Sequence, residues 1–196
     1  MSTNTIRVPT VMTPADALQR LAKGNAEFLE RGRVPCDNQW SDELARGQAP
    51  FAVVLGCSDS RVPVEIVFGQ GFGDLFVVRI AGNIVAPSIV GSIEFAVKSF
   101  GSALVVVMGH TQCGAVAAAL DAATRGVHPE SHNIQSITSR IVPHVTELAT
   151  LASGEQLMRA AVRANVRAST THIRHGSRII EEYVASGRIA VVGAEF

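Results

Sequence analysis

Residues 51–61, FAVVLGCSDSR, form an apolar run that ends in a cysteine and a short polar turn. Residues 103–114, ALVVVMGHTQCG, repeat this arrangement, with a histidine and a second cysteine after the apolar run. Valine-rich runs of this length without polar alternation are typical of strands buried on both faces of a parallel sheet. Because ligands gather beyond the carboxyl ends of such strands, we expect Cys57, His110 and Cys113 to lie close together.

Two further apolar runs, residues 75–80 and 189–192, are bounded by glycine or polar residues and also predict strands. Helical segments are predicted between and after the strands, at residues 63–68, 88–100 and 115–125, and at 134–186 with interruptions at Pro143 and Gly154. Strands that alternate with helices predict an α/β fold, in which a mostly parallel β-sheet is flanked by helices.

An N-terminal helical arm is predicted ahead of the first strand. Thr13 can cap the helix, Pro14 takes the first helical position, and Asp16 adds a negative charge near the positive end of the helix dipole. Apolar residues then recur at helical spacing: Leu18, Leu21, Ala22, Phe28 and Leu29. The sequence leaves open whether this apolar stripe packs on the chain's own sheet or on a second subunit.

The composition indicates one ordinary globular domain. Of the 196 residues, 47% are hydrophobic and 17% are charged, which is enough for a single sizeable core. Lys plus Arg and Asp plus Glu both number 17, so there is no basic field to hold nucleic acid or an anionic membrane. The sequence shows no signal-like segment and no apolar run near the roughly 20 residues that a membrane span needs, which favours a cytoplasmic location.

The cysteines favour a reducing compartment over a disulfide framework. Their number is three, and two of them, Cys57 and Cys113, lie in the two polar turns. Cys36 follows Pro35 in a loop and is expected to be a free thiol.

The residue types in the two turns predict a zinc site. Thiolate, imidazole and carboxylate are all good zinc ligands, and four of them complete a tetrahedron. Cys57 and Asp59 lie two residues apart, while His110 and Cys113 lie three apart. Either pair alone is common in sites without metal, where such residues pack or cap. Two pairs at equivalent strand ends favour a single shared ion and metal-assisted chemistry.

These motifs resemble those of the β-class carbonic anhydrases, a family with a Cys-x-Asp-x-Arg segment and a later His-x-x-Cys-Gly segment. The resemblance covers most of the chain and is carried by residues 24–28 (GNAEF), 57–63 (CSDSRVP), 73–79 (GDLFVVR), 91–97 (GSIEFAV) and 110–115 (HTQCGA). It implies one domain over residues 1–196, with the helical arm over 1–48. It also implies that Cys57, His110 and Cys113 bind Zn²⁺ and that the enzyme reversibly hydrates carbon dioxide to bicarbonate and a proton.

Asp59 and Arg61 are expected to carry the catalysis at this zinc ion. Arg61 lies two residues from Asp59 and can offer its carboxylate a bidentate fork. If Arg61 holds Asp59, the fourth zinc position is open to water, and Asp59 orients the zinc-bound hydroxide towards carbon dioxide. If Asp59 binds zinc instead, the site is closed and inactive. A surface salt bridge is the alternative interpretation of Arg61, and the spacing of Arg61 from the zinc pair argues against it.

Val54 favours the constitutively open, plant-like type of the family. Some members of the family use the closed state as a switch that bicarbonate and pH control. They resemble a group with a tryptophan three residues before the first zinc cysteine, where this chain has Val54. The chain's one tryptophan is Trp40. Because valine has no indole donor, a regulatory site of that kind is not expected.

Four residues are expected to bind the substrate or product. Gln48 stands nine residues before the first zinc cysteine. Its amide is expected to donate a hydrogen bond to bicarbonate. The glutamine at a given site comes either from the same chain or from the neighbouring subunit. Phe76 and Phe95 match the apolar wall of the carbon dioxide pocket, although core packing alone would also explain them. The backbone amide of Gly114 is expected to hold the product anion.

Two features depart from the family pattern. Ile80 is apolar where relatives commonly carry a polar residue, and the chain stops at Phe196 where relatives run on into one more short strand. A short natural variant or a truncated product is therefore expected. Asp74 and Arg79 flank a predicted strand and are assigned structural roles without catalysis.

The resemblance implies a homodimer or a homotetramer that acts on a small molecule, carbon dioxide or bicarbonate. Two other functions remain open. A closed site of two cysteines, a histidine and an aspartate would be structural, with the protein a binding module, although Arg61 argues against it. Hydrolysis of a carbon dioxide analogue, carbon disulfide or carbonyl sulfide, would use the same fold with a different pocket.

Overall fold

The computed structural model describes residues 12–32 and 42–196. Cys36 and Trp40 lie outside these ranges, as does part of the arm predicted over residues 1–48. No helix in the described ranges has the length and apolar character needed to cross a membrane.

Four parallel strands form one sheet with the order β2-β1-β3-β4. They are β1 Ala52–Gly56, β2 Leu75–Arg79, β3 Leu104–Gly109 and β4 Ala190–Glu195. Every residue of the two central strands, β1 and β3, is buried, as expected for unbroken apolar runs in a sheet covered on both faces. The predicted α/β fold is confirmed.

Eight α-helices and two short 3-10 turns occur in the described part of the chain. The α-helices are α1 Pro14–Arg31, α2 Asp42–Arg46, α3 Val64–Val67, α4 Pro87–Phe100, α5 Gly114–Arg125, α6 His132–Val145, α7 Gly154–His175 and α8 Arg178–Ala185. The 3-10 turns are Ala81–Asn83 and Glu147–Thr150.

The predicted interruptions of the long C-terminal helical region are correct at Gly154 and wrong at Pro143. Pro143 lies in the last turn of α6 and does not end it, because buried Ile141 and Val145 hold the helix on both sides of the proline. A second interruption, after His175, is absent from the sequence prediction. There the Ser177 hydroxyl accepts a hydrogen bond from the amide of Ile180 at 3.2 Å and begins α8.

Helix α1 packs on the chain's own domain through a close approach of backbones. The hydroxyl of Thr13 caps the helix, as predicted, and the buried residues are Ala17, Leu21 and Gly24. A Cβ atom on Gly24 would lie 1.9 Å from the carbonyl oxygen of Phe68, next to α3. Only part of the predicted apolar stripe is covered, because Leu18 and Leu29 remain 45% and 66% exposed.

The core occupies both faces of the sheet and continues beyond the strand ends. Ala52 and Val54 pack in the cluster that includes α1 and α3, whereas Val53 and Leu55 pack with α4 and α8 on the other face. A third buried cluster contains the two cysteines and residues of α5, α6 and α7. The two polar turns are therefore supported by packed helices.

Candidate metal centre

The parallel pairing of β1 with β3 brings the first cysteine and the histidine together. Gly56 at the end of β1 pairs with Met108 of β3, so Cys57 and His110 both follow neighbouring strand ends. Cys113 arrives from the loop that leads into α5. The ligand atoms of Cys57, His110 and Cys113 all lie within 4.8 Å of one another, and all three residues are buried.

Two backbone features allow this convergence after β3. A Cβ atom on Gly109 would lie 2.5 Å from a methyl group of Val166, so only glycine lets the strand end pass so close to α7. Gln112 adopts a left-handed conformation with φ of 53°, which few residues other than glycine adopt readily. This turn reverses the chain so that Cys113 returns towards His110.

The pKa values of the two cysteines are shifted in opposite directions. The two sulfur atoms lie 3.9 Å apart. A hydrogen bond from Cys113 lowers the pKa of Cys57, burial opposes this effect, and the neighbouring His110 lowers the pKa further. The same contact with Cys57, together with burial, raises the pKa of Cys113. The proximity of Cys57 also raises the pKa of His110.

The donor set fits a zinc ion. His110 Nδ1 lies 2.9 Å from the carbonyl oxygen of Thr111, and a backbone carbonyl on one ring nitrogen leaves the other free for a metal. That other atom, His110 Nε2, is buried without a hydrogen-bond partner among the described residues. Two sulfur atoms and one such nitrogen within 4.8 Å match the ligands that zinc prefers.

Asp59 stands beside this cluster and is held by Arg61. Arg61 donates from Nε to Asp59 Oδ1 at 2.9 Å and from Nη2 to Asp59 Oδ2 at 2.8 Å. Oδ2 of Asp59 lies 3.8 Å from His110 Nε2. The hydrogen bonds from the Arg61 side chain and backbone keep the pKa of Asp59 well below its usual range, so the carboxylate is ionised at neutral pH.

Arg79 holds the turn that carries Cys57 and Asp59. The sequence predicted only a structural role for this residue. Its Nε donates to the carbonyl oxygen of Cys57 at 2.8 Å, and its Nη2 donates to the carbonyl oxygen of Asp59 at 2.5 Å. The register places Arg79 opposite Gly56, next to the turn. Sequence alone does not reveal this register, which is why the contact was missed. Asp74 has a structural contact, an ion pair with Arg20 at 2.8 Å.

The predicted substrate residues do not all lie at the cluster. Gly114 follows Cys113 directly and begins α5. Gln48 is exposed and precedes β1, at the end of the sheet opposite Cys57, where it lines a cleft of about 360 Å³ with Arg46 and Phe72 among other residues.

Phe76 and Phe95 pack against each other on the side of the sheet that α4 covers. Their ring centroids are 6.3 Å apart, and Phe100 completes the group at 6.0 Å from Phe76. Phe76 pairs in register with Val53. It lies three positions before Arg79, the residue that contacts Cys57. Phe95 is 55% exposed, so the aromatic group forms part of an open apolar surface in the single chain.

Comparisons with known proteins find relatives over most of the chain. Residues 52–196 match the family model described as carbonic anhydrase. A protein named carbonic anhydrase 2, from Mycobacterium tuberculosis, is 38% identical over 186 residues, which cover 93% of this chain and 88% of that protein. The carbonic anhydrase of Mycolicibacterium smegmatis is 36% identical with the same coverage. One of two tetrameric β-carbonic anhydrases from the ascomycete Sordaria macrospora superposes with a TM-score of 0.70 at 26% identity, covering 91% of this chain and 88% of that one.

Proposed function

The chain belongs to the β-class carbonic anhydrases, and on that premise we propose that it reversibly hydrates carbon dioxide to bicarbonate and a proton at a zinc ion. Cys57, His110 and Cys113 would hold the ion. The observation that carries the proposal is the convergence of these three ligand atoms within 4.8 Å, with an ionised Asp59 beside them. When bound there, zinc supplies a Lewis acid that makes water nucleophilic.

Asp59 would orient the attacking oxygen. A carboxylate held on both oxygens by Arg61 has a defined direction, and it can accept a hydrogen bond from the O–H group of the nucleophile. Accepting that bond leaves the lone pair of the nucleophile aimed at the carbon of carbon dioxide, which is catalysis by orientation. Because its pKa is kept low by Arg61, Asp59 serves as a hydrogen-bond acceptor and not as a general base near neutral pH.

We infer that the site belongs to the open type. The support is the position of Asp59 on Arg61, at 2.8 and 2.9 Å, instead of among the three ligands. Val54, at the position of the tryptophan in the switchable group, is fully buried in β1 and offers no donor.

The product anion would meet the backbone of α5 first. The amide of Gly114 lies in the first turn of this 12-residue helix, where unpaired N–H groups and the helix dipole favour negative charge.

Gln48, Phe76 and Phe95 would serve the site of a second copy of the chain. Gln48 and Cys57 lie at opposite ends of β1, and a strand of five residues spans about 16 Å, so Gln48 cannot reach the Cys57 of its own chain. The half-exposed Phe95 adds an open apolar patch on α4. A homodimer, or a homotetramer built from dimers, would bring Gln48 and the two phenylalanines to the metal centre of another copy. The similar Sordaria macrospora proteins are described as tetrameric.

Stopped-flow measurement of carbon dioxide hydration on protein of known zinc content tests the proposal. We expect activity that rises with pH in the unaltered protein and is lost in Asp59→Asn, which keeps the size of the side chain but removes its charge. Asp121→Asn, on the exposed face of α5, is the matched control. Full zinc content without hydration at any pH would contradict the proposal and favour a structural site, or, if carbon disulfide or carbonyl sulfide is consumed, hydrolysis of an analogue.

A further inference from the structure

A backbone amide from outside the ligand set contacts the sulfur of Cys57. The amide of Gly82, in the Ala81–Asn83 turn, lies 3.3 Å from Cys57 Sγ and donates to it in a buried setting. On the far side of the same residue, the carbonyl oxygen of Gly82 accepts a hydrogen bond from Nδ2 of Asn165 at 2.7 Å, also buried. A side chain of α7, 83 residues along the chain, is thereby linked through one residue to a metal-ligand sulfur.

The turn that carries this link has an unusual and crowded backbone. Gly82 and Asn83 both adopt left-handed conformations, with φ of 67° and 43°. A Cβ atom on Gly82 would lie 2.8 Å from Ile141 Cδ1 and 3.0 Å from Ala115 Cβ. Glycine is thus required at this position, and glycine by itself gives the backbone the most freedom to rotate. Something other than its own side chain must set the direction of the Gly82 amide.

Asn165 meets that need from a rigid element. It is 2% exposed and lies on the buried face of the 22-residue helix α7. A buried carbonyl without a donor is unfavourable, so the Asn165 amide favours the one orientation of the turn in which the Gly82 carbonyl points at α7. With Gly82 in the left-handed conformation, fixing the direction of its carbonyl also fixes the direction of its N–H group, which points at Cys57.

We propose that Asn165 is a positioning residue of the metal centre, which acts by holding Gly82 so that its amide donates to the sulfur of Cys57. The proposal rests on the proposed function, because it assigns Cys57 to zinc. An N–H group directed at a thiolate fixes the sulfur in place and withdraws electron density from it, and such outer partners of metal ligands commonly contribute about 10–100-fold to metal affinity or activity.

The experiment uses the full chain, labelled with ¹⁵N and loaded with ¹¹³Cd, a spin-active substitute for zinc. A hydrogen bond from an amide to a metal-bound sulfur transmits a scalar coupling between the amide proton and the metal nucleus. We expect this coupling at the Gly82 amide in the unaltered protein and its loss in Asn165→Leu, which keeps the approximate volume without the donor. Ser169→Ala, a change at a buried polar residue one turn along α7, is the matched control and should keep the coupling.

Zinc affinity, measured by competition with a chromophoric chelator, gives the second readout. We expect a loss of about tenfold or more in Asn165→Leu and none in Ser169→Ala. With cobalt in place of zinc, the sulfur-to-metal charge-transfer band of Asn165→Leu should move to lower energy, which loss of packing alone would not cause. If Asn165→Leu does not fold, Asn165→Ser, whose hydroxyl is too short to reach Gly82, takes its place.

The outcomes separate the two proposals. Failure of the unaltered protein to bind one equivalent of metal through its cysteines would overturn both. Metal binding without a coupling at Gly82 would overturn only the role of the Gly82 amide and of Asn165. A coupling and an affinity that both survive in Asn165→Leu would overturn the role of Asn165.

Discussion

Both carboxylate oxygens of Asp59 are held by the guanidinium group of Arg61, at 2.9 and 2.8 Å. Arg61 is itself restrained by a hydrogen bond from Nη2 to the carbonyl oxygen of Gln112, at 3.2 Å, in the loop between two of the ligands. Since Asp59 Oδ2 lies 3.8 Å from His110 Nε2, the arginine holds the carboxylate close to the centre but outside the ligand set. Under the proposed function, the pair would therefore control whether a coordination position is free.

Replacement of Arg61 by alanine should let Asp59 move onto the metal. The carboxylate would lose both side-chain hydrogen bonds, and a cation at the cluster would be its nearest partner. We expect carbon dioxide hydration to fall on the order of a hundredfold, and a crystal structure of Arg61→Ala to show Asp59 among the ligands. Arg125→Ala, which removes an exposed arginine paired with Asp121 on α5, is the control. Full activity in Arg61→Ala would contradict this role.

Zinc affinity should rise with pH. Both sulfurs must be deprotonated to bind zinc, and in the metal-free cluster the pKa of Cys113 is raised by its contact with Cys57 and by burial. At neutral pH Cys113 therefore carries a proton that zinc must displace, whereas the lowered pKa of Cys57 means that its proton is already lost. We expect about a tenfold gain in affinity per pH unit near neutrality and release of at least one proton, measured by calorimetry in buffers of different ionisation enthalpy. A zinc affinity that is constant between about pH 6 and 8 would refute the assignment of the two cysteines as zinc ligands.

The rate of hydration should have an alkaline midpoint. Two thiolates donate negative charge to the metal, so the nucleophile should form at higher pH than the value of about 7 found with three neutral histidines. Asp59 does not produce this midpoint, because a carboxyl whose pKa is depressed by Arg61 stays ionised from neutral pH down to below its ordinary range. Stopped-flow rates across the neutral and alkaline range provide the measurement. A profile that stays flat into acid solution would exclude this account.

Gly24→Ala should destabilise the fold without touching the metal centre. The added Cβ would lie 1.9 Å from the backbone oxygen of Phe68, so α1 must move away from α3 and strain the hydrogen bond from Asn25 to the Val67 carbonyl, now 2.9 Å. We expect a loss of about 1–3 kcal/mol in the free energy of unfolding by urea.

Gly91→Ala is the matched control for this change. Gly91 lies in α4 and has no atom within 4 Å of its ideal Cβ position. Alanine there should stabilise the helix by up to about 1 kcal/mol. Equal stability of the two variants would show that the contact between α1 and α3 adapts freely.

Mixing a weakened variant with an inactive one should raise activity if Gln48 serves a second copy. We expect Gln48→Ala to weaken hydration because the substrate loses a hydrogen-bond donor, and Cys57→Ser to abolish it because the metal loses a ligand. In a mixed dimer, one site would combine an intact Cys57 with the Gln48 of the other chain. The measurement compares the hydration activity of the two variants unfolded and refolded together with the activity of each variant refolded alone. No recovery in a verified mixed dimer would place Gln48 outside the site.

Much of the fold follows from local sequence patterns. The four apolar strand runs and the cap of α1 at Thr13 are where the sequence places them, because burial on two faces and helix capping leave short-range signatures. The predicted helix end at Pro143 is wrong because packing of α6 outweighs the local preference of proline. The end of α7 before Ser177 has a capping serine as its signal, which a stricter search for N-caps in the long helical region could have found.

The sequence by itself determined the chemistry available to this protein: two thiols, an imidazole and an acid beside an arginine, each placed at the end of an apolar run. Only the tertiary structure decided how they meet. The register of β1 with β3 brings Cys57 to His110, that of β1 with β2 brings Arg79 to the Cys57 turn, and the packing of α7 brings Asn165 to Gly82. Residue type and periodicity are local properties, whereas these contacts depend on how strands pair and helices pack across up to 83 residues of chain.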